Sequence, residues 1–451
     1  MQNATTKDIE VAIIGGGIAG IVLAISLIKR DIRCSIYESA HEFADVGAGL
    51  GISPNAQNAM VVCDPAVHNA FKKVASGNVW KSKQNILFEF FDGRHNATDV
   101  GPVFEIKNST GLQGCHRGSF VNELMQLLPD GVIRFNKRLV KVEDQNCKKV
   151  QLFFQDGTAE EADAVVGCDG IKSKMRELLV GQNHPSAKCS YTNKYAYRGM
   201  IPMPLAYGIL GEERALNATM WMGNGRHLVA YPVANGTILN VVAYCTSFDH
   251  WPSETQLTLP AARKDLLNDF RLFAPSCLEL IDCAQKLDRV SSRTKGPIQK
   301  HRMFYLLREL TIHSGVGMFD LGDHPVPAFA KGRMCIIGDA AHASSPHHGA
   351  GAGLCIEDAA LLASLLGHKS VQKRSDIELA FAAFDKSRRP RTQWVVEKSR
   401  RAGQLYELQT EIGSDFKKMS EELGETLHVI WDFSIGDAIT RVLADLEEQL
   451  E

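Results

Sequence analysis

The amino-acid sequence predicts an α/β fold with a parallel sheet, an inserted antiparallel sheet and a helical C-terminus. The apolar run IEVAIIG is followed by a glycine turn and a helix, and the later apolar runs ADAVVGC and RMCIIG end at Asp169 and Asp339. Continuously apolar strands are typical of parallel sheets, because helices cover both faces. Residues 191–245 instead contain β-type runs separated by Gly, Asn and Pro, which indicate antiparallel strands.

Composition excludes several classes of protein. The 451 residues are 45% hydrophobic and 23% charged, as in globular proteins, and the net charge of −2 leaves no basic surplus for a nucleic-acid partner. Eleven cysteines without a C-x-x-C pair predict reduced thiols in a cytoplasmic protein. The uncharged run from Val11 to Ile28 is interrupted by four glycines, so we expect a strand, a turn and a helix there, with neither a targeting segment nor a membrane role.

The first turn carries a dinucleotide-binding pattern. Gly15, Gly17 and Gly20 follow a strand and open a helix, whose free N–H groups and partial positive charge suit a pyrophosphate. Glu38 ends the next strand, where a carboxylate accepts hydrogen bonds from an adenosine ribose. This Rossmann-like pattern leaves open whether the cofactor is a nicotinamide or a flavin dinucleotide.

Two further loops follow the later strands. The first is Asp169-Gly170-x-x-Ser173-x-x-Arg176, which taken alone is most often a simple turn. The second runs from Gly338-Asp339 through Pro346 to the glycine-rich segment that contains Gly349, Gly351, Ala352 and Gly353. A carboxylate there can bind a polyol chain, and the following helix N-terminus favours negative charge on a bound group.

These three motifs, in this order, resemble the single-component FAD-dependent aromatic hydroxylases, the family of p-hydroxybenzoate and salicylate hydroxylases. The resemblance covers roughly residues 8–400 and implies non-covalently bound FAD, with NADPH or NADH as co-substrate. Gly15, Gly17, Gly20 and Glu38 would hold the ADP half, and Arg117 would contact the cofactor. Asp169 would serve both FAD and the nicotinamide nucleotide. Asp339 would bind the ribityl chain, with Pro346 and residues 349–353 beside the isoalloxazine, although many relatives carry Asn where this chain has Gly353.

The run from Phe319 to Leu366 also resembles fungal dearomatising monooxygenases of tropolone, sorbicillinoid and azaphilone pathways. Their substrate-binding arginine and tyrosine would correspond to Arg198 and Tyr231. A reduced flavin that activates O2 as a C4a-hydroperoxide needs an electron-rich phenolate, which a fixed arginine charge stabilises. We therefore expect hydroxylation of a resorcinol-type polyketide aldehyde or ketone with dearomatisation. The alternatives are a salicylate-type decarboxylative hydroxylase and a flavin-binding scaffold without turnover.

The predicted FAD-binding domain comprises residues 1–75, 101–185 and 301–390, the substrate-binding domain residues 76–100 and 186–300, and the helical C-terminal segment residues 391–451. The tail from Glu421 is expected to be one amphipathic helix, and the basic group Arg388–Arg391 the solvated end of a helix.

His342, His347 and His348 have no matching carboxylate or cysteine, so no metal is expected. His324 could approach the substrate or cap a turn. The oligomeric state stays open.

Overall fold

The computed structural model describes residues 7, 9–43, 49–96, 100–144, 149–253, 255–290 and 314–450. The strands are β1 Glu10–Ile14, β2 Arg33–Tyr37, β3 Gly49–Gly51, β4 Ser76–Gly77, β5 Ile86–Asp92, β6 Phe104–Lys107, β7 Gln113–His116, β8 Ile133–Arg134, β9 Leu139–Glu143, β10 Val150–Phe154, β11 Ala159–Ala162, β12 Ala164–Gly167, β13 Ser190–Pro202, β14 Thr219–Gly223, β15 Arg226–Val233, β16 Ile238–Thr246, β17 Thr258–Pro260, β18 Ser314–Asp320, β19 Ala330–Lys331 and β20 Met334–Ile336.

The helices of the same residues are numbered along the chain. They are α1 Ile18–Ile28, α2 Pro54–Cys63, α3 Pro65–Val74, α4 Arg117–Met125, α5 Lys174–Val180, α6 Met203–Leu210, α7 Glu212–Ala215, α8 Arg263–Asp269, α9 Pro275–Val290, α10 Asp339–His342, α11 Gly351–Gly367, α12 Arg374–Tyr406, α13 Phe416–Trp431 and α14 Ile435–Leu450. None of them is both long enough and apolar enough to cross a membrane.

A six-stranded sheet gathers strands that are far apart in sequence. Its order is β19-β20-β12-β1-β2-β8, and every pair is parallel except β19 with β20. Strand β1 and helix α1 are almost completely buried in one large apolar cluster, which explains their unbroken apolar sequence. The predicted split of Val11–Ile28 into strand, turn and helix is therefore confirmed.

An eight-stranded sheet contains the β-type runs of the middle of the chain. Its order is β17-β18-β13-β16-β15-β14-β5-β6. The antiparallel arrangement predicted for residues 191–245 is confirmed, since β13, β16, β15 and β14 pair antiparallel in that order. Strand β5, outside that range, joins β14 in parallel. Strands β6 and β18 belong to this sheet although they lie in ranges assigned to the FAD-binding domain from the sequence. The division into domains stays a prediction. Two three-stranded sheets, β11-β10-β9 and β3-β7-β4, complete the β-structure of the described residues.

The C-terminal part is helical, but not as a single tail helix. Helix α12 runs for 33 residues with Pro390 inside it. The predicted amphipathic helix beginning at Glu421 is wrong in extent, because α13 ends at Trp431 and α14 begins at Ile435. The Phe433 ring, between these two helices, packs 3.7 Å from the guanidinium of Arg391 on α12, so this cation–π contact holds the break against α12.

Candidate active site

Four sequence motifs meet at one edge of the six-stranded sheet. Gly15 follows β1, Glu38 follows β2, Asp169 follows β12 and Asp339 follows β20. These strands are neighbours and parallel, so their carboxyl ends share an edge. The chain leaves β1 towards β2 on one side, while β12 lies on the other. Such a switch point is where open α/β sheets bind ligands.

The glycine turn cannot hold larger residues. Gly15 has a φ of +104°, and a Cβ there would lie 2.5 Å from the carbonyl oxygen of Cys168. A Cβ on Gly20 would lie 2.1 Å from the Gly15 carbonyl oxygen. Helix α1 consequently starts close to the sheet, with Gly17 as its N-cap and no side chain capping its first N–H groups. Those groups are available to an anion.

Glu38 is fixed beside this turn. Its carboxylate accepts hydrogen bonds from the backbone N–H of Gly16, at 2.7 Å, and of Ala40, at 2.8 Å. Each carboxylate oxygen has further acceptor capacity. The position and orientation suit the hydroxyls of an adenosine ribose.

Arg117 brings a positive charge to the same place. It is the first residue of α4, directly after β7. Its Nη2 lies 4.0 Å from where a Cβ on Gly17 would stand. The guanidinium therefore lies at the N-terminus of α1, where a pyrophosphate gains from both the helix and the charge.

The two predicted aspartates are held differently. The Asp169 carboxylate accepts from the N–H groups of Lys174 and Met175, at 2.7 and 3.0 Å, and from the Ser173 hydroxyl, so it caps α5. Burial raises the pKa of Asp169, and these hydrogen bonds oppose the shift. The structure thus gives Asp169 a local structural task, and its cofactor role stays a prediction.

Asp339 has no such local partners. Its side chain is solvent-accessible within a recess. Desolvation by the surrounding protein raises the pKa of the Asp339 carboxyl, and the charges of His342, Arg117 and Arg176 oppose that shift. Arg176 is buried and donates to the Ala340 carbonyl oxygen at 3.0 Å, which ties the loop after β12 to the loop after β20. This arrangement leaves the Asp339 carboxylate free to accept from a polyol.

The glycine-rich segment forms the start of α11. Pro346 opens a short 3₁₀ turn, Gly349 adopts the left-handed conformation with a φ of +62°, and Gly351 and Ala352 begin the helix. Gly353 faces away from the edge, since a Cβ there would lie 3.0 Å from the Cβ of Ala56 on α2. A side chain at position 353 would therefore crowd the packing of α11 on α2.

Arg198 and Tyr231 lie on one face of the eight-stranded sheet. Arg198 is on β13, opposite Val242 of β16, and Tyr231 is on β15, opposite Asn240 of β16. Arg198 is exposed and has no hydrogen-bond or ion-pair partner among the described residues. Its charge nevertheless reaches Tyr231: burial raises the pKa of that phenol, and the guanidinium opposes the shift.

Tyr231 connects this face to the cofactor side. A Cβ on Gly49 would lie only 2.3 Å from the Tyr231 hydroxyl oxygen. Gly49 is in β3, which pairs with β7, and β7 leads directly to Arg117. The close approach at Gly49 therefore brings the tyrosine to the same small sheet that leads to the cofactor-side arginine.

A buried cluster that sequence reasoning missed lies on the same face. The His227 ring stacks on Tyr244, with centroids 4.4 Å apart and planes at 5°, and its Nδ1 lies 3.1 Å from a carboxylate oxygen of Glu407. Lys194 contacts the other oxygen of Glu407. No sequence signal pairs Glu407 with a histidine 180 positions earlier.

The charges of this cluster are set by burial and pairing. Burial alone raises the pKa of Glu407, but the His227 hydrogen bond and the Lys194 charge lower it to about 2. Burial lowers the pKa of His227 and, more strongly, of His347, so both imidazoles are neutral at pH 7. The His347 ring lies 5.4 Å from that of Tyr244, which places the Pro346 turn against the substrate-side sheet.

Ligand atoms of His227, His347 and Glu407 lie within 4.8 Å of one another, a spacing that a metal ion could use. The Lys194 ammonium already neutralises the Glu407 carboxylate, however, and repels a cation. We interpret the cluster as a charge-paired support for Tyr244.

His324 is exposed, and its charge acts on Asp323.

The prediction of a solvated Arg388–Arg391 group is wrong. Arg388 is 1% exposed and pairs with both Glu357 and Asp358 on α11, at 2.8 and 2.7 Å. Arg391 binds Glu357 through two nitrogens at 2.9 Å. Although burial opposes it, pairing with His342 and Arg388 lowers the pKa of Asp358 to about 2. Two adjacent acids on an otherwise apolar helix attract these arginines inward, because buried charges must be paired.

The geometry is that of a dinucleotide-binding fold, and comparisons with known proteins identify the dinucleotide. Residues 310–399 match the family model of an FAD binding domain. The chain is 39% identical over 467 residues to the FAD-dependent monooxygenase pigN of Monascus ruber, covering 100% of both, and 36% identical to the salicylate hydroxylase asL1 of Sarocladium schorii, covering 98% of this chain and 92% of that one. The substrate complex of a salicylate hydroxylase superposes with a TM-score of 0.80 at 28% identity, covering 97% and 98%.

The chain therefore belongs to the FAD-dependent monooxygenases, as the resemblance to FAD-dependent aromatic hydroxylases predicted. Its cofactor is FAD. The residues present fit that cofactor: a glycine turn that excludes a Cβ at Gly15 and Gly20, uncapped N–H groups beside Arg117, a fixed Glu38, and Asp339 without a local partner.

Proposed function

We propose that this enzyme uses NAD(P)H and O2 to hydroxylate a phenolic substrate of the resorcinol type, a polyketide aldehyde or ketone, with dearomatisation of the ring. The observation that carries the proposal is the unpaired Arg198 guanidinium on the sheet face that also bears Tyr231. A cation without a protein counter-charge, beside a phenol hydroxyl, is suited to an anionic oxygen of the substrate.

In this proposal, the glycine turn, Glu38 and Arg117 hold the ADP half of FAD, and Asp339 with the Pro346–Gly353 segment holds the ribityl chain and ring. Asp169 supports the site through α5. Bound FAD, reduced by NAD(P)H, supplies an electrophilic oxygen atom from O2. The protein supplies the electron-rich partner: Arg198 stabilises the substrate as a phenolate, and Tyr231 donates a hydrogen bond that orients it.

The phenolic proton of the substrate passes to solvent water, which reaches the exposed Arg198, before oxygen transfer. This order is required because a phenolate carbon is a far better nucleophile than that of a neutral phenol. His227 and His347 are both neutral at pH 7 and buried on the same side, so they add no competing positive charge. Arg198 thus remains the positive charge that faces the substrate oxygen. This arrangement favours ionisation of one oxygen at a defined position on the ring.

A salicylate-type decarboxylative hydroxylation is the second candidate. Two similar proteins are named salicylate hydroxylases, and both are similar to this chain over nearly its whole length. In that reaction Arg198 would hold the carboxylate of salicylate through two parallel hydrogen bonds.

A substrate screen distinguishes the candidates. FAD-loaded enzyme is mixed with NADH or NADPH and with resorcylic aldehydes, resorcylic ketones or salicylates, and products are identified by mass. A gain of one oxygen without release of CO2, together with a non-aromatic dienone product, is the expected result. Release of CO2 with a catechol selects the salicylate reaction. Binding of FAD without phenol-stimulated oxidation of either nucleotide overturns both and leaves a flavin-binding scaffold.

A further inference from the structure

We propose that Tyr244 is a third substrate-contacting residue, which binds a second oxygen of the substrate ring and so selects dioxygenated arenes over simple phenols. This inference rests on the proposed function and deepens it. In this proposal two tyrosine hydroxyls flank the Arg198 guanidinium in the substrate site, Tyr231 on one side and Tyr244 on the other.

The register of three neighbouring strands sets this order. The successive rows across β13, β16 and β15 on this face are Met200–Asn240–Tyr231, Arg198–Val242–Val229 and Ala196–Tyr244–His227. Residues two apart on a strand point to the same face, about 7 Å from each other. The Arg198 row therefore lies between the rows of the two tyrosines, and Val229 and Val242 form an apolar floor between them.

The three polar groups have no protein partner. Among the residues that the structure describes, neither the Tyr231 nor the Tyr244 hydroxyl makes a hydrogen bond, and the Arg198 guanidinium makes none either. Burial raises the pKa of Tyr244, and the positive charge of Arg198, on the same face of the sheet, opposes the shift as it does for Tyr231. Polar groups held apart over an apolar floor gain hydrogen bonds when a ligand supplies the missing acceptors.

The Tyr244 ring is held in place from behind. The stacked His227 ring is anchored by Glu407, which pairs with Lys194. On another side lies His347, in the turn that begins at Pro346. A ring fixed in this way presents its hydroxyl at a constant position, which is what discrimination between similar ligands requires.

The ligand that fits is an aromatic ring with two oxygen substituents on alternate carbons. One oxygen, ionised, meets Arg198 and Tyr231, and the second accepts a hydrogen bond from Tyr244. A monophenol satisfies the first pair and leaves the Tyr244 hydroxyl unpaired. The structure thus supplies a reason for selecting resorcinol-type rings.

The test compares two ligands on three variants. Dissociation constants of 2,4-dihydroxybenzaldehyde and 2-hydroxybenzaldehyde are measured by calorimetry on FAD-loaded enzyme without NAD(P)H, so that binding is read without turnover. Tyr244→Phe should weaken the dihydroxy ligand by about 10-fold, the value of one hydrogen bond, and leave the monohydroxy ligand within about twofold. Tyr231→Phe should weaken both ligands.

Tyr195→Phe is the matched control. It removes one tyrosine hydroxyl from β13 on the opposite face, where that hydroxyl donates to Asp269 at 2.7 Å, and it should change neither constant. FAD content and circular dichroism confirm folding of each variant. Equal losses for both ligands in Tyr244→Phe, or no loss for either, overturn the inference while phenol turnover by the unaltered enzyme still upholds the proposed function. Absence of any phenol binding or turnover by the unaltered enzyme overturns both.

Discussion

The two faces of the eight-stranded sheet are built from the same strands and serve different ends. On one face, Trp221, Leu228 and Val241 pack in an apolar cluster against α6, α8 and α9. On the other, the alternate positions carry Arg198, Tyr231, Tyr244 and His227. Because successive side chains of a strand point to opposite faces, one strand contributes to stability with every second residue and to the site with the others.

The tyrosines of the two faces show the difference most directly. Tyr195 and Tyr197 both donate to the same carboxylate oxygen of Asp269, at 2.7 and 2.9 Å. Tyr231 and Tyr244, on the opposite face, have no partner among the described residues. The two tyrosines of the packed face are thus satisfied within the protein, whereas the hydroxyls of Tyr231 and Tyr244 are left for a ligand.

The largest expected change in stability comes from the packed face. Trp221→Ala removes a fully buried ring that stacks on Phe91, and should lower the free energy of unfolding by about 3–5 kcal/mol. Urea denaturation measures it. The dissociation constant of a phenol for the folded fraction should stay unchanged. A loss below about 1 kcal/mol would show that this face does not stabilise the sheet as described.

On the binding face, Arg198→Ala should act on turnover instead. Loss of the charge that stabilises the phenolate should lower kcat by about 10²–10³-fold, with unfolding free energy and FAD content unchanged. Steady-state oxidation of NAD(P)H with a phenol measures the effect. Arg198→Lys, which keeps the charge but not the planar fork, should recover part of the rate. Substantial activity in Arg198→Ala would remove the role assigned to this residue.

Acidification should weaken the binding side through its buried histidines. Burial lowers the folded-state pKa of His227, of His347 and, to about 4, of His348, below the ordinary value of 6.5. The unfolded chain therefore binds protons first as the pH falls, so stability is full above about 6.5 and declines below it, by up to about 1.4 kcal/mol per pH unit for each histidine. Urea midpoints between pH 7.5 and 4.5 measure this. A midpoint that rises on acidification would contradict the assignment of neutral imidazoles.

The smallest expected effect is at Gly49. A Cβ there would lie 2.3 Å from the Tyr231 hydroxyl oxygen, so Gly49→Ala should displace the tip of that side chain. We expect about a 5–10-fold weaker phenol affinity, the value of about one hydrogen bond, with normal FAD content. Gly51→Ala, in the same strand but with open space around its Cβ, is the control and should leave the affinity unchanged. Equal effects in both variants would refute a specific contact with Tyr231.

The parallel sheet and the position of the cofactor motifs could be predicted from the order of the residues alone. Gly15, Glu38, Asp169 and Asp339 each follow a strand, and parallel strands end at a common edge, so their meeting follows from local pattern and chain direction. The glycines of the first turn could predict the cofactor-binding turn because contact with the neighbouring backbone excludes a Cβ at Gly15 and Gly20.

The surroundings of those motifs could be seen only in the folded chain. Arg388 was predicted to be at the surface because charged residues of a helix are usually solvated. It is buried because Glu357 and Asp358 on α11 pair with its guanidinium. Tyr244 acquired its place through His227 and a carboxylate from the end of α12, 163 positions further along the chain. Side-chain pairs across non-adjacent strands and helices depend on strand register and helix packing. The periodicity of the sequence does not predict either, so these pairs could not be predicted from it.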